Sequence, residues 1–466
     1  MNDADRSARS ARVAVVGAGP AGLYAVHSLL ASASPLGVDV FDRLPTPYGL
    51  VRYGVAPDNQ KMKSVTRVLR TAFDHGKQVR FLGNVRFGVD IRRADLLEHY
   101  DAVVYATGAQ GERRLDIPGE DLPGSYGAKA FVDWYNGHPD AAERDFDLRA
   151  HHVAVVGAGN VALDVARMLV RSPDEIAATD VPDRVLDAFR NSHVTDVHLI
   201  ARRGLVQAKF TPEELRGLKD LVDVDIVIRP EDVSMTDDDE ARIQANRQLR
   251  TNVAMLRDWA QRPLRGKSRR IHMRFLQRPV RIVGENRVEG VVLERNEPLA
   301  DGGVRGTGRM ETLDVETIFR SVGYEALPLP DVPFDRARSI IPHHRGRVLD
   351  GNDLSTEKEY VTGWAKRGPS GTIGTNKSDS AETVSTLLAD LATRSSYHGS
   401  DPERVLTLLD DRGAQYTHWA NWLRLDDHEL ALGRSQGRPR VKIPVLRAML
   451  ELSRGSSARG AIGGTE

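Results

Sequence analysis

The chain has 466 residues, 40% hydrophobic and 28% charged, enough apolar content to bury sizeable cores and too much for a wholly disordered polymer. Lys plus Arg number 65 and Asp plus Glu number 65, so the formal net charge is zero, which removes any bulk electrostatic case for nucleic acid or a membrane surface. Cysteine is absent, which excludes a disulfide framework, a redox thiol pair, a cysteine nucleophile and a thiolate-held zinc or iron–sulfur cluster.

Redox chemistry in such a chain uses a dissociable organic cofactor or a partner's metal centre. At about 150 residues per domain, the length predicts about three domains or subdomains. No apolar run approaches the roughly 18 residues that span a bilayer. Met1 to Ala11 is polar and carries Asp3 and Asp5, unlike a secretory or transit segment, so the expected location is cytoplasmic.

In chain order, Arg12 to Val16 reads as a buried parallel strand and Gly17-Ala18-Gly19-Pro20-Ala21-Gly22 as a glycine turn. A helix over Leu23 to Ala31 and a strand over Val38 to Asp42 complete a βαβ unit. Ala102 to Ala106 is a later strand. The pattern then restarts: a strand over His152 to Val156, the turn Gly157-Ala158-Gly159-Asn160-Val161-Ala162, a helix to Val170 and a strand over Val197 to Ala201. VAVVGAG thus occurs twice, from Val13 and from Val153, which predicts two dinucleotide domains. Arg171 to Ser192 reads as an insertion, 231 to 260 as charged helix and 271 to 324 as mostly strand. Gly363 to Thr375 is Gly-rich and leads into a helix through about Leu391. Ser395 to Pro402 reads as a linker, and 403 to 466 as two apolar-periodic stretches with a Gly/Ser-rich end and no assigned chemistry.

In the first turn, Gly17 permits the tight bend, Gly19 lets the backbone approach a pyrophosphate, and Gly22 lets helix and strand pack closely. Asp42 ends the second strand 20 residues past Gly22, where a carboxylate accepts from ribose hydroxyls and favours an adenosine without a 2′-phosphate, as in FAD or NAD. In the second turn Ala162 replaces the third glycine, and the strand end carries Arg202-Arg203-Gly204 with no acid. Two guanidiniums there suit a 2′-phosphate and favour NADP(H). Asp164, in the following helix, either faces the nicotinamide position or lies on the helix surface. Gly363 to Thr375 is either a plain loop or a helix N-terminus that stabilises negative charge on a reduced isoalloxazine.

Gly17 to Gly22, Leu44 to Asp58, Asp116 to Glu120, Phe131 to Asn136, Gly159 to Arg167, Arg202 to Gly204 and Gly363 to Thr375 together make the sequence resemble the adrenodoxin reductase-like family of ferredoxin–NADP reductases over roughly 12 to 393. The resemblance implies an α/β fold with two Rossmann-like three-layer domains: a discontinuous FAD domain (10–112 and 325–394), an NADP domain (113–324) and an extension from 395 to 466. It implies FAD contacts at Ala21, Asp42, Leu50, Val85, Trp364 and Gly371-Thr372-Ile373. It implies NADP contacts at Ala158, Gly159, Asn160, Val161, Arg202, Arg203, Glu214 and Gly371. Asp42 stands for the family's usual Glu. Asn59-Gln60 stand where the family often has His-Pro, and that His is paired, by proposal, with the Asp corresponding to Asp164. Asn does not titrate as His does, which argues against a proton shuttle here.

The expected activity is hydride transfer from NADPH to FAD and single-electron delivery to an acidic ferredoxin. A basic docking patch is expected at Arg216, Arg247, Arg250 and Arg257, though each taken singly reads as solvated helix charge. The competing readings are an electron-donating subunit of the glutamate synthase small-subunit type, whose usual Cys-rich cluster domain is missing, and an NADPH-binding sensor. A disulfide reductase is excluded by the absence of cysteine.

Overall fold

The computed structural model describes residues 10–32, 36–233, 235, 237–299, 301–352, 354–394, 397 and 401–455. The arm before residue 10, most of the Ser395–Pro402 linker and the Gly/Ser-rich end lie outside the described residues.

The two VAVVGAG segments are interior strands of two separate sheets. In the first, β1 (Ala11–Val16) runs into α1 (Pro20–Leu30), β2 (Leu36–Asp42), β3 (Val79–Gly83) and β4 (Ala102–Tyr105). The helix starts at Pro20, earlier than the apolar pattern suggests, because proline at the first helical position lacks only an N–H that would be unpaired there anyway. β1 pairs in parallel with β2 (Val13 opposite Val38) and with β4 (Val15 opposite Val104). The strand period of two sorts the side chains: Val13, Val15, Val38 and Val40 pack on one face with α1, and Ala14, Val16, Phe41 and Tyr105 on the other.

The chain then crosses a ribbon in which Gly111–Glu112 pairs antiparallel with Tyr324–Glu325. Beyond it lie β5 (Ser125–Gly127), α2 (Ala128–Tyr135), β6 (His152–Val156), α3 (Asn160–Val170), β7 (Asp196–Ile200), α4 (Pro212–Lys219), β8 (Val224–Ile228), α5 (Arg247–Gln261) and β9 (Arg269–Arg274). An antiparallel sheet of β10 (Gln277–Val283), β11 (Gly290–Pro298) and β12 (Val304–Asp314) follows, then β13 (Thr317–Arg320). The second main sheet has the order β5-β13-β6-β7-β9-β8. Val153, Val155, Val197 and Leu199 pack under its helices, and Ala154, Val156 and Ile200 pack on Ile282, Val291 and Leu293 of the antiparallel sheet. The stretch read as an insertion folds as two short helices, Pro173–Ala177 and Asp183–Arg190.

The chain returns to the first sheet through β14 (His343–His344), β15 (Arg347–Leu349) and β16 (Ser355–Val361), giving the order β14-β15-β16-β4-β1-β2-β3. The long helix α6 (Thr375–Ala392) packs on α1. The tail forms three helices, α7 (Glu403–Asp411), α8 (Trp419–Ser435) and α9 (Leu446–Arg454). They are not an appendage: Trp419 stacks on Phe73 with ring centroids 4.2 Å apart, and Trp422, Leu425 and Met449 join the core beneath β1 and β2. No described helix is long and apolar enough to cross a membrane.

Candidate functional site

The first glycine turn is fixed by contacts that only glycine allows. Gly17 sits at φ +113°, and a Cβ there would stand 2.4 Å from the carbonyl oxygen of Ala106. A Cβ on Gly22 would stand 1.9 Å from the carbonyl oxygen of Gly17. Gly19 is different: the nearest atom to its Cβ position is the Gly49 Cα at 3.9 Å, so its hydrogen faces space at the N-terminus of α1. That open cradle at the positive end of a helix fits a pyrophosphate.

The remaining first-half candidates gather around this turn. Asp42 is half-buried and accepts from the Ala18 amide (2.8 Å) and the Leu44 amide (2.9 Å). Burial pushes its carboxyl pKa up, opposed by those two amides. The Val85 amide donates to the Asp42 carbonyl (2.9 Å), and the Tyr48 amide donates to the Ala18 carbonyl (2.8 Å), which brings Leu50 alongside. Ala21 meets the returning chain: a Cβ on Gly363 would stand 2.5 Å from Ala21 Cβ, and Ser380 Oγ donates to the Ala21 carbonyl at 2.8 Å. Trp364 donates to the Ser370 carbonyl (3.1 Å) and stacks on Tyr324 across the junction of the halves. Gly371 and Thr372 are exposed, and Ile373 lies just ahead of α6. The half-exposed acid, the open cradle and this converging rim fit the ribose and pyrophosphate of a dinucleotide such as FAD.

The second turn repeats the design. Gly157, at φ +153°, lies so close to Ser321 that a Cβ would stand 2.3 Å from its carbonyl oxygen, whereas a Cβ on Gly159 would meet nothing within 4 Å. The Ala158 carbonyl accepts from the Lys209 amide (2.9 Å), and Asn160 Oδ1 accepts from the Thr211 amide (2.9 Å). Val161 is half-buried on the first turn of α3. Arg202 and Arg203 are exposed, have no carboxylate partner among the described residues, and line a cavity of about 220 Å³. Arg278, Asn296 and Val304 of the antiparallel sheet complete its walls. Sequence reasoning missed these three because nothing in their local pattern marks them as neighbours of the glycine motif.

Asp164 is buried and turned inward, which removes the reading as a helix-surface residue. Arg167 Nη2 donates to it at 2.6 Å, while the same guanidinium reaches Asp58 (2.7 Å) and Glu214 (3.2 Å). Arg171 also holds Asp58, at 2.7 Å. Burial pushes the Asp164 pKa up to about 8, with Glu214 and Asp58 adding to the rise against the pull of Arg167. Glu214 thus stands in this cluster at the seam between the halves, not with Arg202 and Arg203. Asn59 donates to Glu214 (3.3 Å) and accepts from the Met62 amide (3.1 Å), so it caps a helical turn and braces the cluster. The fully buried Tyr135 hydroxyl, within electrostatic reach of Asp164 and Tyr324, has no hydrogen-bond partner among the described residues, as suits a seam that receives a polar group.

The expected basic patch is largely spent internally. Arg216 pairs with Glu213 (3.5 Å), Arg257 pairs with Glu240, and Arg250 donates to the Gln244 carbonyl. Arg247 is exposed without a carboxylate partner among the described residues.

Residues 11–348 match the family model described as pyridine nucleotide-disulphide oxidoreductase. The chain is 43% identical over 456 residues to NADPH-ferredoxin reductase FprA of Mycobacterium leprae, covering 95% of this chain and 98% of that one. It is 36% identical to the mitochondrial NADPH:adrenodoxin oxidoreductase of Arabidopsis thaliana, covering 94% of each. Its structure superposes on Mycobacterium tuberculosis FprA in complex with NADPH with a TM-score of 0.90 at 41% identity, covering 96% of this chain and 100% of that one. These matches take in most of the tail, so the likeness extends past residue 393.

Proposed function

Because the chain belongs to the pyridine nucleotide-disulphide oxidoreductases, in the branch of the NADPH-ferredoxin and adrenodoxin reductases, we propose that it is an enzyme that takes electrons from NADPH through bound FAD and passes them singly to an acidic iron–sulfur protein of the ferredoxin type. The observation that carries this reading is a pair of open glycine cradles with opposite chemistry beside them: Gly19 with the Asp42 carboxylate, and Gly159 with Arg202 and Arg203. A carboxylate suits ribose hydroxyls and repels a 2′-phosphate, whereas two guanidiniums attract it. FAD therefore falls to the first half (10–112 and 325–394) and NADPH to the second (113–324). The disulphide half of the family's description does not apply to a chain without cysteine.

When bound, FAD supplies the exchange between a two-electron donor and a one-electron acceptor. The residues of the chain bind and orient. Gly17, Gly19, Ala21 and Gly22 shape the first cradle, Asp42 receives the ribose, and Leu50, Val85, Trp364 and Gly371 to Ile373 close around it. Ala158, Gly159, Asn160 and Val161 cradle the second pyrophosphate, Arg202 and Arg203 take the 2′-phosphate, and Gly371 borders both ligands. The upward shift of the Asp164 pKa by burial favours its neutral carboxyl beside Arg167; Glu214 stands in this same cluster. Of the four expected arginines, the docking contact for the ferredoxin falls to the exposed Arg247, the others being engaged by Glu213, Glu240 and the Gln244 carbonyl.

The test is ferredoxin-dependent reduction of cytochrome c by the holoenzyme. The reading expects activity with NADPH that falls steeply with added salt. Arg247→Glu is expected to slow that assay several-fold and leave NADPH-driven reduction of ferricyanide unchanged. Binding of NADPH without turnover of any acceptor would overturn the reading in favour of a binding module.

A further inference from the structure

The cavity beside Arg202 and Arg203 has a third guanidinium in its wall. Arg278 stands on β10 directly opposite Glu294 on β11. Its Nε and Nη2 both donate to Glu294 Oε2, at 2.8 and 2.5 Å, which leaves Nη1 without a partner among the described residues. Glu294 is itself fixed. It is buried, its Oε1 accepts from the Gly308 amide at 3.0 Å, and a Cβ on Gly306 would stand 2.2 Å from that oxygen. The hairpin glycines thus make room for the carboxylate that holds the guanidinium, and a side chain of high rotamer entropy is ordered in advance of any ligand.

The arginine loop is stitched to the same strands. Asn296 Nδ2 donates to the Arg202 carbonyl (2.8 Å), the Leu276 amide to the Arg203 carbonyl (3.1 Å) and the Gln277 amide to the Ala201 carbonyl (3.0 Å). These bonds set the spacing between Arg278 and the other two arginines. A cavity of about 220 Å³ bordered by three arginines, one of them held by a bound carboxylate, is shaped for a compact dianion.

We propose that Arg278 is a specificity-determining contact to the 2′-phosphate of the nicotinamide coenzyme, with Glu294 and Asn296 as positioning residues. The inference rests on the assignment of NADPH to the second half and adds to it a residue from outside the glycine motif. It places part of the coenzyme selectivity on the antiparallel sheet.

The experiment measures binding of adenosine 2′,5′-bisphosphate and adenosine 5′-monophosphate to the holoenzyme by calorimetry, since the two probes differ only in the 2′-phosphate. Arg278→Ala is expected to weaken the bisphosphate about tenfold and leave the monophosphate unchanged, the size of one charge-assisted contact. Arg278→Lys is expected to restore part of that affinity, because it keeps a charge at the site. Equal weakening of both probes, or of neither, would overturn the proposal, as would a lysine variant no better than alanine. Arg202→Ala is the reference. If it discriminates between the probes and Arg278→Ala does not, this inference alone fails; if Arg202→Ala does not discriminate, the assignment of the site fails and this inference with it.

Discussion

Glu429, on α8, has no exposure to solvent and is clasped by two arginines from different parts of the chain. Arg52 Nη2 donates to one of its oxygens at 2.6 Å and Arg440 Nη1 to the other at 2.7 Å, while the Ile443 amide donates at 3.0 Å. The Arg52 guanidinium also lies between the rings of Tyr53 and Trp422, 5.1 Å from each centroid. Replacing Glu429 with Ala strands a buried cation, and removing one partner of a buried pair costs about 3–5 kcal/mol. At about 2.1 cal/mol/K of unfolding entropy per residue, a chain of this length loses about 3–5 °C in Tm. The control is Asp187→Ala in the exposed Arg190–Asp187 pair, 2.9 Å long, whose loss costs at most about 1 kcal/mol. Thermal unfolding of the holoenzyme followed by circular dichroism reads both. The double variant Arg52→Met/Glu429→Leu is expected to recover much of the loss, because no charge is left stranded by that pair. Glu429→Ala no worse than Asp187→Ala would refute the reasoning that the tail is fastened by buried charge.

Gly159→Ala has room for its methyl within the protein, so Tm is expected to hold while the KM for NADPH rises about tenfold or more from crowding of the phosphate; a fall in Tm with KM unchanged would contradict the cradle. Gly22→Ala forces a methyl onto the Gly17 carbonyl oxygen and is expected to yield protein that retains little FAD, read from its visible absorbance. The raised pKa of Asp164 means the folded state binds a proton that the unfolded state has released, so this group's contribution to stability falls as pH rises from about 4 to about 8. Asp164→Asn is expected to flatten that decline in urea-unfolding free energies, and an unchanged slope would refute it. Glu429 works in the opposite sense: burial raises its pKa, but Arg52 and Arg440 hold it below the ordinary 4.5, so its contribution is present above that pH and is lost on acidification.

Both glycine turns were legible because their signal is local. Strand, turn, helix and a charged strand end fall within a few dozen residues, and the glycines are required by backbone contacts inside that unit. Where meaning depends on distant partners, the residues alone say little. Trp419 and Trp422 look like ordinary apolar positions until Phe73 and Arg52 are placed beside them. β12 lies within the stretch read as mostly strand, but its own bounds were not legible because most of its residues are exposed and its Gly- and Arg-rich run lacks a strand's alternation. Arg278 and Asn296 reach the arginine loop only through the pairing of β10, β11 and the segment after β9. The cluster of Asp58, Asp164, Arg167 and Glu214 joins three separate stretches, so position gave no sign that Glu214 stands apart from Arg202. The four arginines of the expected patch were charges in the sequence, but whether a charge is free depends on a neighbour such as Glu240 or Glu213, which the fold supplies.

The most direct test of the account is the flavin absorbance of the purified holoenzyme during anaerobic titration with NADPH or NADH, followed by addition of an oxidised ferredoxin. The account predicts bleaching by NADPH at far lower concentration than by NADH, and return of the flavin bands as the ferredoxin becomes reduced. Equal response to the two coenzymes, or bleaching that ferredoxin does not reverse, would contradict it.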